Sequence, residues 1–152
     1  MGFTSCIHES GHCVVGTALG FSLDRVEVSD VHARTLWNLG PRRENTHEST
    51  VTGESRSAVI EAVRGDARTL ELFVAGLRAA VGGSDEHLLD YLTMSMAGRI
   101  AHGRVAPGQD ALEGGASDIA VEDLLLVSLG RDRLQSFAWR AARIATNLVE
   151  EH

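Results

Sequence analysis

The segment Ile7-His8-Glu9-Ser10-Gly11-His12-Cys13-Val14-Val15-Gly16-Thr17-Ala18-Leu19-Gly20 decides how this chain is read. At about 100° per residue on a helix, His8 and His12 lie one turn apart on the same face, so both imidazoles can reach a single metal ion. Glu9 falls on the flank of that pair, where a carboxylate can touch a metal-bound water without taking a coordination position. The pattern is H-E-x-x-H. Ile7, Gly11, Val14, Val15 and Ala18 form an apolar stripe beside the histidine edge, which predicts a helix from about Thr4 to Leu19 with Gly20 as its C′ residue.

Beyond Gly20, the alternation of Leu23, Val26 and Val28 with polar neighbours predicts a short strand. Residues 29–57 turn polar and aperiodic, with Pro41 among them, and read mostly as loop. Within that loop Thr35-Leu36-Trp37-Asn38-Leu39 suggests a second strand, whose edge offers backbone hydrogen bonds to an extended peptide. His32 and His47 sit among polar residues and are expected to be solvated. Helical spacing then takes over. Val59, Ile60 and Val63 predict a short helix ending near Gly65, and Leu70, Phe73, Val74, Leu77, Ala80 and Val81 a second that stops at Gly82-Gly83. Ser84 reads as the N-cap of a helix carrying Leu88, Leu89, Leu92, Met96 and Ile100, with His87 and His102 near its ends, capped or solvated. Gly98 inside it costs about 1 kcal/mol relative to Ala, which marks close approach of another helix, the first being the natural neighbour. A loop around Pro107 and Gly108 leads on, and a last helix from about Arg131 to Glu150 carries Leu134, Phe137, Ala141, Ile144, Ala145 and Leu148 at core spacing, with Trp139 at its margin. The expected fold is mainly α: one helical domain with a small β-ribbon after the H-E-x-x-H helix.

Composition narrows the function classes. The chain has 152 residues, enough for one domain with a core, and 43% hydrophobic with 23% charged residues is ordinary globular usage. No apolar run reaches the ~18 residues that a membrane span needs. A formal net charge of -7 disfavours nucleic acid and anionic membrane surfaces as partners. Cys6 and Cys13, on one helix with Cα atoms about 10 Å apart, cannot pair there and read as small buried apolar residues pointing away from the histidines. With no secretory signal visible, a reducing, cytoplasmic compartment is expected.

A catalytic zinc site needs a third protein ligand and an open position. The third histidine of one branch of zinc proteases would fall on Ala18, so that branch is excluded. Glu27, Glu44, Glu48, Glu54, Asp118 and Glu122 remain as candidates.

Three segments resemble the peptidase domain of the FtsH-type ATP-dependent zinc metalloproteases: Ile7-His8-Glu9-Ser10-Gly11-His12, where the family has H-E-A-G-H; Leu92 to Val105 with Ala97-Gly98-Arg99-Ile100-Ala101, similar to G-G-R-A-A; and Gly115-Ala116-Ser117-Asp118-Ile119, close to G-A-S-N-D. The resemblance implies that His8, His12 and Asp118 bind Zn²⁺ and that Glu9 is the catalytic base. Ser117-Asp118 stands where the family has S-N-D, one residue longer, which keeps Glu122, one turn on, as the alternative ligand. It also implies peptide or unfolded-protein substrates and a possible homo-oligomer. The family's membrane anchor and AAA+ ATPase module have no counterpart in the sequence, which shows no P-loop pattern; only seven residues precede His8, and the ending near an apolar-periodic helix suggests a fragment of something longer. The expected activity is zinc-dependent endopeptidase action. Two alternatives stand beside it: a catalytically silent adaptor that uses the peptidase scaffold for binding, and a different zinc hydrolase.

Overall fold

The structure, a computed structural model, describes residues 2–29, 33–38, 67–80, 83–108, 118–119, 121–123, 125–126, 129 and 131–152. It is mainly helical: α1 (Gly2–Ala18), β1 (Ser22–Val28), β2 (Ala33–Asn38), α2 (Ala67–Ala80), α3 (Asp85–Val105) and α4 (Arg131–Glu151). The helix expected over Val59, Ile60 and Val63, the histidines His32 and His47, the carboxylates Glu44, Glu48 and Glu54, and Gly115 to Ser117 lie outside the described residues.

The end of α1 follows its sequence. Gly20 takes a φ of 83°, Phe21 N donates to Gly16 O at 2.9 Å and Gly20 N to Thr17 O at 2.9 Å. This Schellman pairing satisfies the last carbonyls and turns the chain into β1, at a residue whose missing Cβ makes the left-handed conformation cheap. β1 and β2 then form an antiparallel two-stranded ribbon in which Leu23 pairs with Trp37 and Arg25 with Leu36. Asp24 is the extra residue between those pairs, so the break in alternation puts Leu23, Val26 and Val28 on the ribbon face of Trp37 and Thr35.

The central element is α3. Its N-cap is Ser84, whose hydroxyl accepts from His87 N at 3.1 Å, with Asp85 and Glu86 in the first turn favouring the positive end of the helix dipole. Sequence spacing gives α3 one apolar face, yet Leu88, Leu89 and every residue from Tyr91 to Gly98 are buried. The reason is that α1 and α4 both pack on it, and residues around 121–126 add Val121, Leu125 and Leu126 to the core. A fully buried leucine such as Leu88 or Leu92 contributes about 2 kcal/mol by leaving water.

Against α3, α1 runs in the opposite sense. A Cβ on Gly11 would stand 2.5 Å from Ala97 O, and one on Gly16 would strike Trp37 and Met94. Small residues therefore set the spacing of this helix pair, as Gly98 led one to expect. The buried face of α1 comprises His8, Glu9, Gly11, His12, Val15 and Gly16, so the histidine edge is itself part of the packed interface rather than the flank of an apolar stripe. Phe3, Cys6, Ser10 and Thr17 form the solvent face. Cys6 is thus exposed, and Cys13 only half-buried, because α1 is packed on one side and both lie off it.

Candidate metal centre

His8 and His12 from α1 meet Asp118, which enters from the far end of the chain. His8 Nε2 lies 2.9 Å from Asp118 Oδ2, His12 Nε2 lies 3.2 Å from the same oxygen, and the two Nε2 atoms are 3.0 Å apart. All three residues are buried. The rings meet edge to face, with centroids 4.7 Å apart and planes at 77°, so nitrogen edges converge instead of stacking.

A backbone contact fixes one of these nitrogens. His12 Nδ1 is 2.8 Å from Met94 O, and a carbonyl can only accept, so Nδ1 carries the proton and the neutral ring presents a bare lone pair at Nε2. That lone pair faces an ionised carboxylate and a second imidazole. Acceptors alone would repel there, and either a proton or a cation has to stand between them. Burial on its own would lower the pKa of His12; Asp118 outweighs it by hydrogen bond and charge, Glu9 and the Met94 carbonyl add to this, and the result is a pKa above the ordinary 6.5.

The residues fit a metal. Ligands about 2.0–2.1 Å from a tetrahedral ion stand about 3.3 Å from one another, and the three donor separations fall within a few tenths of that value. Two imidazoles and a carboxylate suit a transition metal of zinc's class rather than calcium or magnesium, which take oxygen sets. His8, His12 and Asp118 form a buried group able to ligate one ion, all donors lying within 4.8 Å of one another, and no other such group occurs among the described residues.

Glu9 is buried on the flank of this group, and Thr35 Oγ1 on β2 donates to its Oε2. This bond joins the ribbon to α1 at the carboxylate itself. Cys13 Sγ is 3.9 Å from Thr35 Oγ1, and burial pushes its thiol pKa up, away from the reactive thiolate.

The two other described candidates, Glu122 and Glu27, are paired with arginines. Glu122 is buried and paired with the Arg99 guanidinium on α3; burial, opposed by Arg99 and reinforced by Asp118, pushes its pKa up to about 7. It does not join the converging donors, whereas Asp118 does. Glu27 is half-buried between Arg25 at 2.8 Å and Arg34 at 2.6 Å.

Sequence reasoning missed two participants of the site and misplaced a third residue. Thr35 lies 26 residues from Glu9, and nothing in the intervening sequence announces the pair. Met94 acts through its carbonyl, which no residue type encodes. His102 was expected to be capping or solvated at a helix end but is buried one turn beyond Gly98, and its Nε2 has no hydrogen-bond partner among the described residues.

Compared with protein-family models, with curated proteins and with solved structures, the chain matches none of them.

Proposed function

We propose that this chain is a zinc metallopeptidase domain of the FtsH type that cuts peptide bonds in unfolded segments, with His8, His12 and Asp118 holding Zn²⁺ and Glu9 as the catalytic base. The observation that carries this reading is Glu9, a buried carboxylate beside the donor group and gripped by Thr35. A purely structural metal site has no use for a base at its flank.

When bound, zinc polarises the scissile carbonyl and lowers the pKa of water toward ~7. Glu9 takes the proton of the attacking water and passes it to the leaving amine. With Oε2 engaged by Thr35, the proton travels on Oε1. His12, tethered to Met94 O, presents Nε2 in a fixed direction, the outer hydrogen bond that metal-binding histidines need. Leu36 and Trp37 turn their side chains into the core, so β2 offers a peptide its backbone along the edge that β1 does not occupy.

Glu9→Gln tests the mechanism. Hydrolysis of an unfolded protein should fall about 10²–10⁴-fold while bound zinc is unchanged. Cleavage that survives the substitution would overturn the role of Glu9, and an unmutated protein that binds zinc without cleaving would favour the adaptor reading.

A further inference from the structure

Gly98 lies on α3 facing both candidate histidine ligands. A Cβ at this position would stand 2.5 Å from His12 Nε2, 2.6 Å from His8 Nε2 and 2.7 Å from His8 Cδ2. The place a methyl group would fill is therefore the place where the two ligating nitrogens converge.

Two other glycines show that this is particular to the position. Gly103, on the same helix, has nothing among the described residues within 4 Å of where its Cβ would be. Gly11, on the facing helix, is closed in by Ala97 O at 2.5 Å and Ala101 Cβ at 2.7 Å, so its bareness serves the approach of the helices. Among the described glycines, only at Gly98 are the three nearest atoms all imidazole atoms. Met94 lies four residues before Gly98, and its carbonyl, the helical partner of Gly98 N–H, also accepts from His12 Nδ1 at 2.8 Å. One turn of α3 thus anchors the back of the His12 ring and leaves room at its front.

We infer that Gly98 is a positioning residue for the metal: its bare Cα reserves the volume in which the His8 and His12 nitrogens and an ion come together. The inference rests on the metal reading of the site. Because the three atoms nearest a methyl group at position 98 all belong to the imidazole ends of two side chains, Gly98→Ala swings the imidazoles aside, keeps the fold and abolishes the site.

The test is titration of the metal-free protein with Zn²⁺ alone, by calorimetry and by the zinc-induced rise in Tm, on the unmutated chain, Gly98→Ala and Gly103→Ala. The unmutated chain and Gly103→Ala should bind zinc alike. Gly98→Ala should melt, metal-free, close to the unmutated chain but lose the zinc-induced rise, with affinity down about 100-fold or more. Zinc binding by Gly98→Ala equal to that of the unmutated chain overturns the inference and leaves the metal reading standing; no zinc binding by the unmutated chain overturns both. If Gly98→Ala does not fold, it is made again in a His8→Ala/His12→Ala background. Folding restored there supports crowding against the imidazoles, and folding still absent overturns it.

Discussion

His8 Nε2 and Asp118 Oδ2 stand 2.9 Å apart in the folded chain although 110 residues separate them in sequence. A buried carboxylate so close to one imidazole, and 3.2 Å from a second, is costly unless a positive charge sits among them. In the metal-free protein that charge is a proton, and the raised pKa of His12 expresses it.

Metal uptake must therefore displace a proton. Zinc affinity should weaken as pH falls through the His12 pKa, which lies above 6.5, and calorimetry in buffers of different ionisation enthalpy should register proton release. Asp118→Asn removes the chief influence that raises His12. Its His12 resonance should titrate at lower pH in the metal-free protein, and zinc should no longer bind at concentrations that saturate the unmutated chain. An unchanged His12 titration would contradict the contact.

Glu122 gives the metal-free fold an opposite preference. Its carboxyl, raised from 4.5 to about 7, binds a proton more tightly folded than unfolded, so its contribution is fully present below about pH 4.5 and is lost as pH rises through about 7. The loss is on the order of 3 kcal/mol. Urea unfolding of the metal-free protein across that window should show declining stability, and Glu122→Gln should flatten the decline.

Thr35→Val keeps the side-chain shape and removes the donor to Glu9. If Glu9 is the base, kcat should fall by about 10-fold with zinc stoichiometry unchanged, because the carboxylate loses the bond that orients it. A rise in KM with kcat unchanged would mean that Thr35 acts on substrate and not on Glu9.

The packing has its own test. Leu92 is 1% exposed at the centre of α3, so Leu92→Ala should cost about 2–5 kcal/mol in chemical denaturation. Trp139, 61% exposed on α4, should cost within about 0.5 kcal/mol when replaced by Ala, a difference that separates core from margin despite the larger side chain.

Local signals carried much of this architecture. Ser84 announced the start of α3 and Gly20 the end of α1, since caps and left-handed turns depend on nearest neighbours. Gly98 announced a close helix contact because a glycine within a helix is costly unless something needs the space. Tertiary placement was harder to read. The periodicity of α3 showed one apolar face, and only the packing of α1 and α4 on different sides buried Thr93 and Ser95 as well. Cys6 and His102 exchanged their expected surroundings for the same reason: spacing along a helix does not tell which of its faces gains a neighbour. The Glu9 to Thr35 bond and the Met94 carbonyl were invisible, since backbone atoms and ordinary hydroxyls leave no mark in a sequence.

The most direct test of the central claim is the metal content of the purified protein, measured alongside His12→Ala and Asp118→Ala. The account predicts about one zinc per chain in the unmutated protein and its loss in both variants. Less than about one zinc per two chains in the unmutated protein, or full zinc retention in either variant, would contradict it.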